Sequence, residues 1–226
     1  MPSVFFITHP DVVIKPSVPV RDWPLTECGR ERMRSLVAAA CVHKVRSIFA
    51  SSERKADEGA QILADGSGSR DMWSFDELCE NDRSATGYLP AQARIICAIE
   101  RILSQASGNG DLAIVGHGGT GTLLYCSLAG LPIDRRYDQP ATNGGSWFAF
   151  DRASRRLLHD GWRSIDAAAQ GCTPRPAAAR ETQLNDAGRP PFPRAAQRRV
   201  LLRTRHRACF LWSSSTALST FRLRSS

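Results

Sequence analysis

Two histidines stand at the ends of short apolar runs more than a hundred residues apart. His9 follows Val4-Phe5-Phe6-Ile7-Thr8, and His117 follows Leu112-Ala113-Ile114-Val115-Gly116. Each run reads as a buried strand. In a parallel sheet both strand ends open on the same edge, where α/β sheets bind ligands, so the two imidazoles can meet. Such a pair suits covalent phosphoryl transfer: one ring attacks phosphorus, and the other stabilises charge or supplies a proton. Gly116-His117-Gly118-Gly119 is a glycine turn, and Thr120 onward reads as a helix ending near Gly130. A helix start presents unbonded N–H groups and the positive end of its dipole to an anion. Thr8 and Gly118, flanking the two histidines, are therefore candidate phosphate contacts beside them.

Phosphoryl transfer also needs a cation for the phosphoryl oxygens and an acid for the leaving group. Arg54 and Lys55 stand in the first turn of a helix opened by Ser51-Ser52, again directly after a strand. One helical position turns a side chain by about 100°, so spacing leaves open which of the two faces the site. Glu80 follows another short strand and is the leading acid, with Asp76, Glu77 and Asp82 as competitors. The seven cysteines are odd in number, scattered and without a CxxC pair, so they read as reduced and structural. No metal site and no cofactor is expected.

The elements that must position these residues alternate along the chain. Pro10, Pro16, Pro19 and Pro24 mark an irregular loop, after which Thr26 reads as the N-cap of a helix carrying Met33, Leu36, Val37 and Ala40 on one face. Residues 46–50 read as a strand, 53–64 as a helix, 72–75 as a strand and 92–102 as a helix. After the His117 helix, 147–150 and 156–159 read as an antiparallel pair at a sheet edge. This order predicts a three-layer α/β/α sandwich with a mostly parallel central sheet, in one domain over residues 1–168.

The chain has 226 residues, 42% hydrophobic and 23% charged, ordinary values for a globular protein. It shows neither an apolar run of membrane-spanning length nor the pattern of a signal peptide, so the expectation is a cytoplasmic protein with no membrane partner. The net charge of +8 is a property of one segment. Residues 171–226 hold eleven arginines, no lysine and two acids, a net +9, which leaves −1 for the rest. Nucleic-acid binding by the folded part is therefore not implied. The Arg/Ala/Pro/Ser-rich stretch 169–226 has no sustained apolar period and reads as a disordered tail. It resembles the translation of a GC-rich gene in a shifted frame; the alternative is a basic arm for nucleic acid or acidic partners.

Four blocks in this order, Ile7-Thr8-His9, Ser51-Ser52-x-Arg54-Lys55-Ala56, Leu78-x-Glu80 and Gly116-His117-Gly118, resemble the histidine phosphatase superfamily, which has the phosphoglycerate-mutase-like fold. Pro24-Leu25-Thr26-x-x-Gly29 is similar to the segment that opens the family's first helix. The resemblance covers roughly residues 3–166. It implies that His9 accepts the phosphoryl group as phosphohistidine, that His117 and a basic residue after the second strand hold the phosphate, and that Glu80 protonates the leaving oxygen. The chain departs from the family pattern in three places. Thr8-His9-Pro10 stands where Arg-His-Gly is usual. Lys55 takes the place of the arginine before the alanine, with Arg54 one step earlier. The connection from the Glu80 block to the next helix is short, leaving no cap over the site. The expected function is a phosphomonoesterase acting on a small phosphorylated substrate, and a mutase is disfavoured. The alternatives are a catalytically weak or inactive phosphate-binding relative, and an interaction protein working through its basic tail.

Overall fold

The computed structural model describes residues 1–38, 42, 44–69, 71–80, 87–106 and 108–168. Residues 169–226, to which the tail reading applies, lie outside the described residues, as do Ala40 and Asp82.

Six strands form one sheet: β1 (Ser3–Thr8), β2 (Val45–Ser51), β3 (Asp71–Phe75), β4 (Asp111–Gly116), β5 (Ser146–Asp151) and β6 (Arg163–Ser164). Their order is β3-β2-β4-β1-β5-β6; β3, β2, β4 and β1 are parallel, β5 is antiparallel to β1, and β6 is antiparallel to β5. The helices are α1 (Glu27–Ala38), α2 (Arg54–Ser67), α3 (Tyr88–Gln105), α4 (Gly118–Ala129) and the single turn α5 (Ile165–Ala168). The architecture is the expected mostly parallel sheet with helices on both faces.

Side-chain alternation along the strands divides the interior into two cores. On β1, Phe5 and Ile7 enter a core with Met33 and Leu36 of α1 and Ala56, Ala60 and Leu63 of α2. Val4 and Phe6 enter the opposite core with Ile95, Ile99 and Ile102 of α3 and Leu123 and Leu124 of α4. On β4, Ala113 and Val115 face the first core while Leu112 and Ile114 face the second. Strands covered on both faces are continuously apolar, which is why these runs were readable as strands.

Three local features differ from the expectations. Residues 156–159 do not form the sheet-edge strand. They make one isolated bridge, Leu157 to Phe150, after Arg155 takes a left-handed conformation (φ 62°), and the edge is the two-residue β6. Helix α4 takes Gly118 and Gly119 into its first turn, with His117 as its extended N-cap (φ −126°, ψ 160°). Thr26 does cap α1, its hydroxyl accepting the Gly29 N–H at 2.9 Å. Cys28, Cys79 and Cys126 are free thiols, but Cys97 is disulfide-bonded, against the expectation that every cysteine is reduced. Among the described residues no helix is long and apolar enough to cross a membrane, and no three His, Cys, Asp or Glu side chains are grouped to hold a metal.

Candidate active site

The parallel strands all end on one edge, and the segments leaving them line a cavity of about 1140 Å³. His9 leaves β1, Lys55 lies in the first turn of the helix after β2, Glu80 follows β3, and His117 and Gly118 follow β4; all five line this cavity. The His9 and His117 rings meet edge to face with centroids 5.1 Å apart.

His9 is seated by its backbone. Its N–H donates to the Gly116 carbonyl at 3.1 Å, and its own carbonyl accepts the Gly145 N–H at 3.2 Å. Its Nδ1 lies 2.9 Å from the Pro10 carbonyl oxygen. A carbonyl only accepts, so Nδ1 carries the proton and Nε2 keeps the lone pair. Burial, with the nearby Lys55 ammonium, pushes the His9 pKa down to about 4, although the Pro10 carbonyl opposes the shift. His117 is buried with Nε2 2.8 Å from Ser51 Oγ, and its Nδ1 has no hydrogen-bond partner among the described residues. Burial first, then His9, Lys55 and Arg94, hold it well below the ordinary histidine value. Both rings are therefore neutral at pH 7.

Lys55 enters the site and Arg54 does not. The Lys55 side chain is 5% exposed, whereas that of Arg54 is 55% exposed and bonds Glu58 at 2.8 Å on the outer face. The structure starts α2 at Arg54 with Glu53 as an extended N-cap (φ −73°, ψ 135°). Arg54 lies two positions, roughly 200° of rotation, from Ala56 on the buried face, while Lys55 lies only one away.

Glu53 is a site residue that the sequence did not signal. Its buried carboxylate pairs with the Lys55 ammonium through Oε2, while Oε1 accepts the Glu80 N–H at 2.9 Å and lies 3.7 Å from His117 Nε2. The Lys55 ammonium also donates to the Val20 carbonyl at 2.9 Å. Arg94 of α3 fixes the stretch before Glu80 by donating to the carbonyls of Glu77 at 3.1 Å and Cys79 at 2.9 Å. Asp76 accepts from the Ser52 hydroxyl and Glu77 pairs with Arg101 at 2.8 Å, and neither lines the cavity.

Thr8 is fully buried beneath the cavity rather than on its wall. Its hydroxyl donates to Gln139 Oε1 at 2.7 Å and accepts the Ser146 N–H at 2.9 Å. Gln139 does line the cavity, from a loop whose sequence carried no pattern to mark it.

An anion in this cavity would meet the first N–H groups of α4, which no side chain caps. It would also meet two neutral imidazoles, a lysine whose charge Glu53 already balances, and, at the exposed rim, Arg21 and Arg135. That arrangement can position a tetrahedral oxyanion against His9 Nε2.

No family model matches the chain, and no curated protein matches it in sequence. Solved structures do match it. YhfR of Bacillus stearothermophilus superposes with a TM-score of 0.56 at 18% identity, over 70% of this chain and 94% of that one. The alpha-ribazole phosphatase of Shigella flexneri gives 0.55 at 17% identity, over 72% and 96%. The mycobacterial glucosyl-3-phosphoglycerate phosphatase bound to inorganic phosphate gives 0.52 at 15% identity, over 72% and 95%. The chain therefore has the fold of the histidine phosphatase superfamily.

Proposed function

We propose that the protein is a phosphomonoesterase that works through a phosphohistidine on His9. The observation that carries this reading is the His9–His117 pair at the carboxyl edge of the sheet. The Pro10 carbonyl fixes the His9 tautomer so that Nε2 is the nucleophilic atom, and Glu80 lines the same cavity. Neighbours of the same fold include proteins named as phosphatases.

In the first step the Nε2 lone pair bonds to phosphorus as the P–O bond to the leaving group breaks. The departing alkoxide takes the proton of the Glu80 carboxylic acid. In the second step Glu80, now a carboxylate, removes a proton from water as its oxygen attacks phosphorus. The P–N bond breaks, its electron pair returns to Nε2, and inorganic phosphate is released. His117 and the α4 N–H groups stabilise the charge on the transferring oxygens, work worth several kcal/mol where water is excluded. Lys55 contributes less than a free cation because Glu53 is its partner, which favours slow turnover and weak phosphate affinity.

The test compares the wild type with His9→Ala on a generic aryl phosphate, together with labelling of the protein by the substrate's phosphate. Acid-labile, alkali-stable label that depends on His9 is the expected result. Turnover that survives His9→Ala removes the covalent mechanism. Glu80→Gln should slow alkyl phosphates far more than activated aryl phosphates, which need no acid; equal losses on both would take the acid role from Glu80.

A further inference from the structure

Thr8 and Gln139 form a buried-to-cavity pair that the reaction as written leaves unused. The fully buried Thr8 hydroxyl is anchored by the Ser146 N–H at 2.9 Å; of the two acceptors in its reach, Gln139 Oε1 at 2.7 Å and the Ser146 carbonyl at 3.1 Å, the amide oxygen is the nearer and takes its proton. This bond occupies the acceptor end of the Gln139 amide and leaves its two N–H donors at the cavity end. Gln139 Nε2 rests directly over Gly118 at the N-terminus of α4, where a Cβ would fall 2.4 Å from it. No acceptor among the described residues takes those N–H groups. They share their place with the uncapped N–H groups of α4, beside His9 and His117.

We infer that the Gln139 side-chain amide is an oxyanion-binding donor of this site, aimed into it by the buried Thr8 hydroxyl, with Thr8 as its positioning residue. The ligand class is a tetrahedral oxyanion, phosphate or the phosphoryl group of a monoester, so the inference rests on the phosphoryl-transfer reading. It answers a specific need. Both imidazoles are neutral, Lys55 is balanced by Glu53, and the other cations on the cavity wall, Arg21 and Arg135, are exposed to solvent, which leaves buried dipolar donors a share in holding the anion beside His9. Hydrogen bonds from such donors to a charged acceptor are about twice as strong as those between neutral groups. Gly118, by lacking a side chain, leaves room for the amide; Gly118→Ala would push it out of place.

The experiment measures binding of inorganic phosphate and orthovanadate to the full chain by calorimetry. It compares the wild type with Gln139→Met, Gln139→Glu, Thr8→Val, Thr8→Ser and the Gln139→Met/Thr8→Val pair, with circular dichroism as the check of folding. Gln139→Met keeps the length of the side chain without its donors and should weaken binding by about tenfold or more. Gln139→Glu, which places a carboxylate at the same spot, should abolish it. Thr8→Val should weaken binding in the wild-type background and add nothing in the Gln139→Met background, because both act through one contact. Thr8→Ser should restore it. Binding by Gln139→Met within about twofold of the wild type would overturn the inference while leaving phosphoryl transfer standing. Full additivity of the two changes would remove Thr8 as the positioning residue. A folded wild type that binds neither anion would overturn the phosphoryl-transfer reading itself, and this inference with it.

Discussion

Glu53→Gln should move two observables in opposite directions. The carboxylate is buried, pairs with Lys55, and accepts the Glu80 N–H at 2.9 Å. Glutamine keeps the shape and one acceptor but leaves the Lys55 ammonium without its counter-charge. Removing one partner of a buried pair costs about 3–5 kcal/mol. The retained acceptor and the bond from Lys55 to the Val20 carbonyl place the cost near the lower end. With a urea slope of about 2 kcal/mol/M, a loss of about 3 kcal/mol lowers the unfolding midpoint by about 1.5 M. Phosphate binding should instead tighten, because a negative charge has left the wall of the site and Lys55 is free to pair with the ligand. At roughly 7 Å and an effective dielectric of about 20, each unit of charge is worth about 2 kcal/mol, so about a tenfold gain is expected after screening. The assays are urea unfolding followed by tryptophan fluorescence, with and without phosphate, and calorimetric titration of the anion. Phosphate should restore more stability to the variant than to the wild type. An unchanged midpoint would refute the buried pair. Weaker phosphate binding would show that Glu53 orients Lys55 toward the ligand rather than neutralising it.

Lowering the pH should destabilise the protein through its buried histidines, His9 above all. The fold holds His9 at about 4 against 6.5 for the free side chain, so below pH 6.5 the unfolded chain binds more protons. The associated stability is intact above pH 6.5 and is lost as the pH falls toward 4, up to about 3 kcal/mol. Thermal midpoints from pH 7.5 to 4 should fall less steeply in His9→Gln. Gly144→Ala should displace His9, the proposed nucleophile, because Gly144 has a φ of 78° and its Cβ would come within 2.2 Å of the His9 carbonyl oxygen. The expected cost is about 1–3 kcal/mol with a disproportionate loss of protein-bound phosphate, read by thermal melts and the labelling assay. Thr26→Ala should cost about 1 kcal/mol through the lost α1 cap, a fall of about 2–4 °C in midpoint, while Thr26→Ser should stay close to the wild type.

The parallel core was legible because its strands are covered on both faces. Val4 to Ile7 and Leu112 to Val115 had to be apolar throughout, and a strand so covered delivers its next residue to the carboxyl edge. That rule suffices to bring His9 and His117 together. The edge was less readable: β6 has two residues and pairs only Arg163 with Trp147 and Ser164 with Ser146, too few to leave a period. Glu53 was hidden for another reason. Positions 53 and 55 do not face each other within a helix, and they pair here because Glu53 stands outside α2 in extended conformation. The orientation of Lys55, by contrast, was recoverable from the Ala56, Ala60 and Leu63 face. Gln139 lies in a loop, where only the fold can tell which side chain reaches the cavity.

The place of β1 in the sheet sets the order in which this site can assemble. Phe5 pairs with Ala113 on one side and Ala149 on the other, so the strand that carries His9 finds both neighbours only in later parts of the chain. At about 5–20 residues per second, a ribosome takes about 5–20 s to make the hundred residues separating β1 from β4. Throughout that interval Val4-Phe5-Phe6-Ile7 is an apolar strand with two open edges, a target for chaperones and for intermolecular pairing. Long-range closure of this kind is slow, and His9 is seated only when it is complete. A fragment ending before Gly145, the residue that precedes β5, lacks the N–H that holds the His9 carbonyl, so the nascent protein seats His9 late, after most of the sheet has been synthesised.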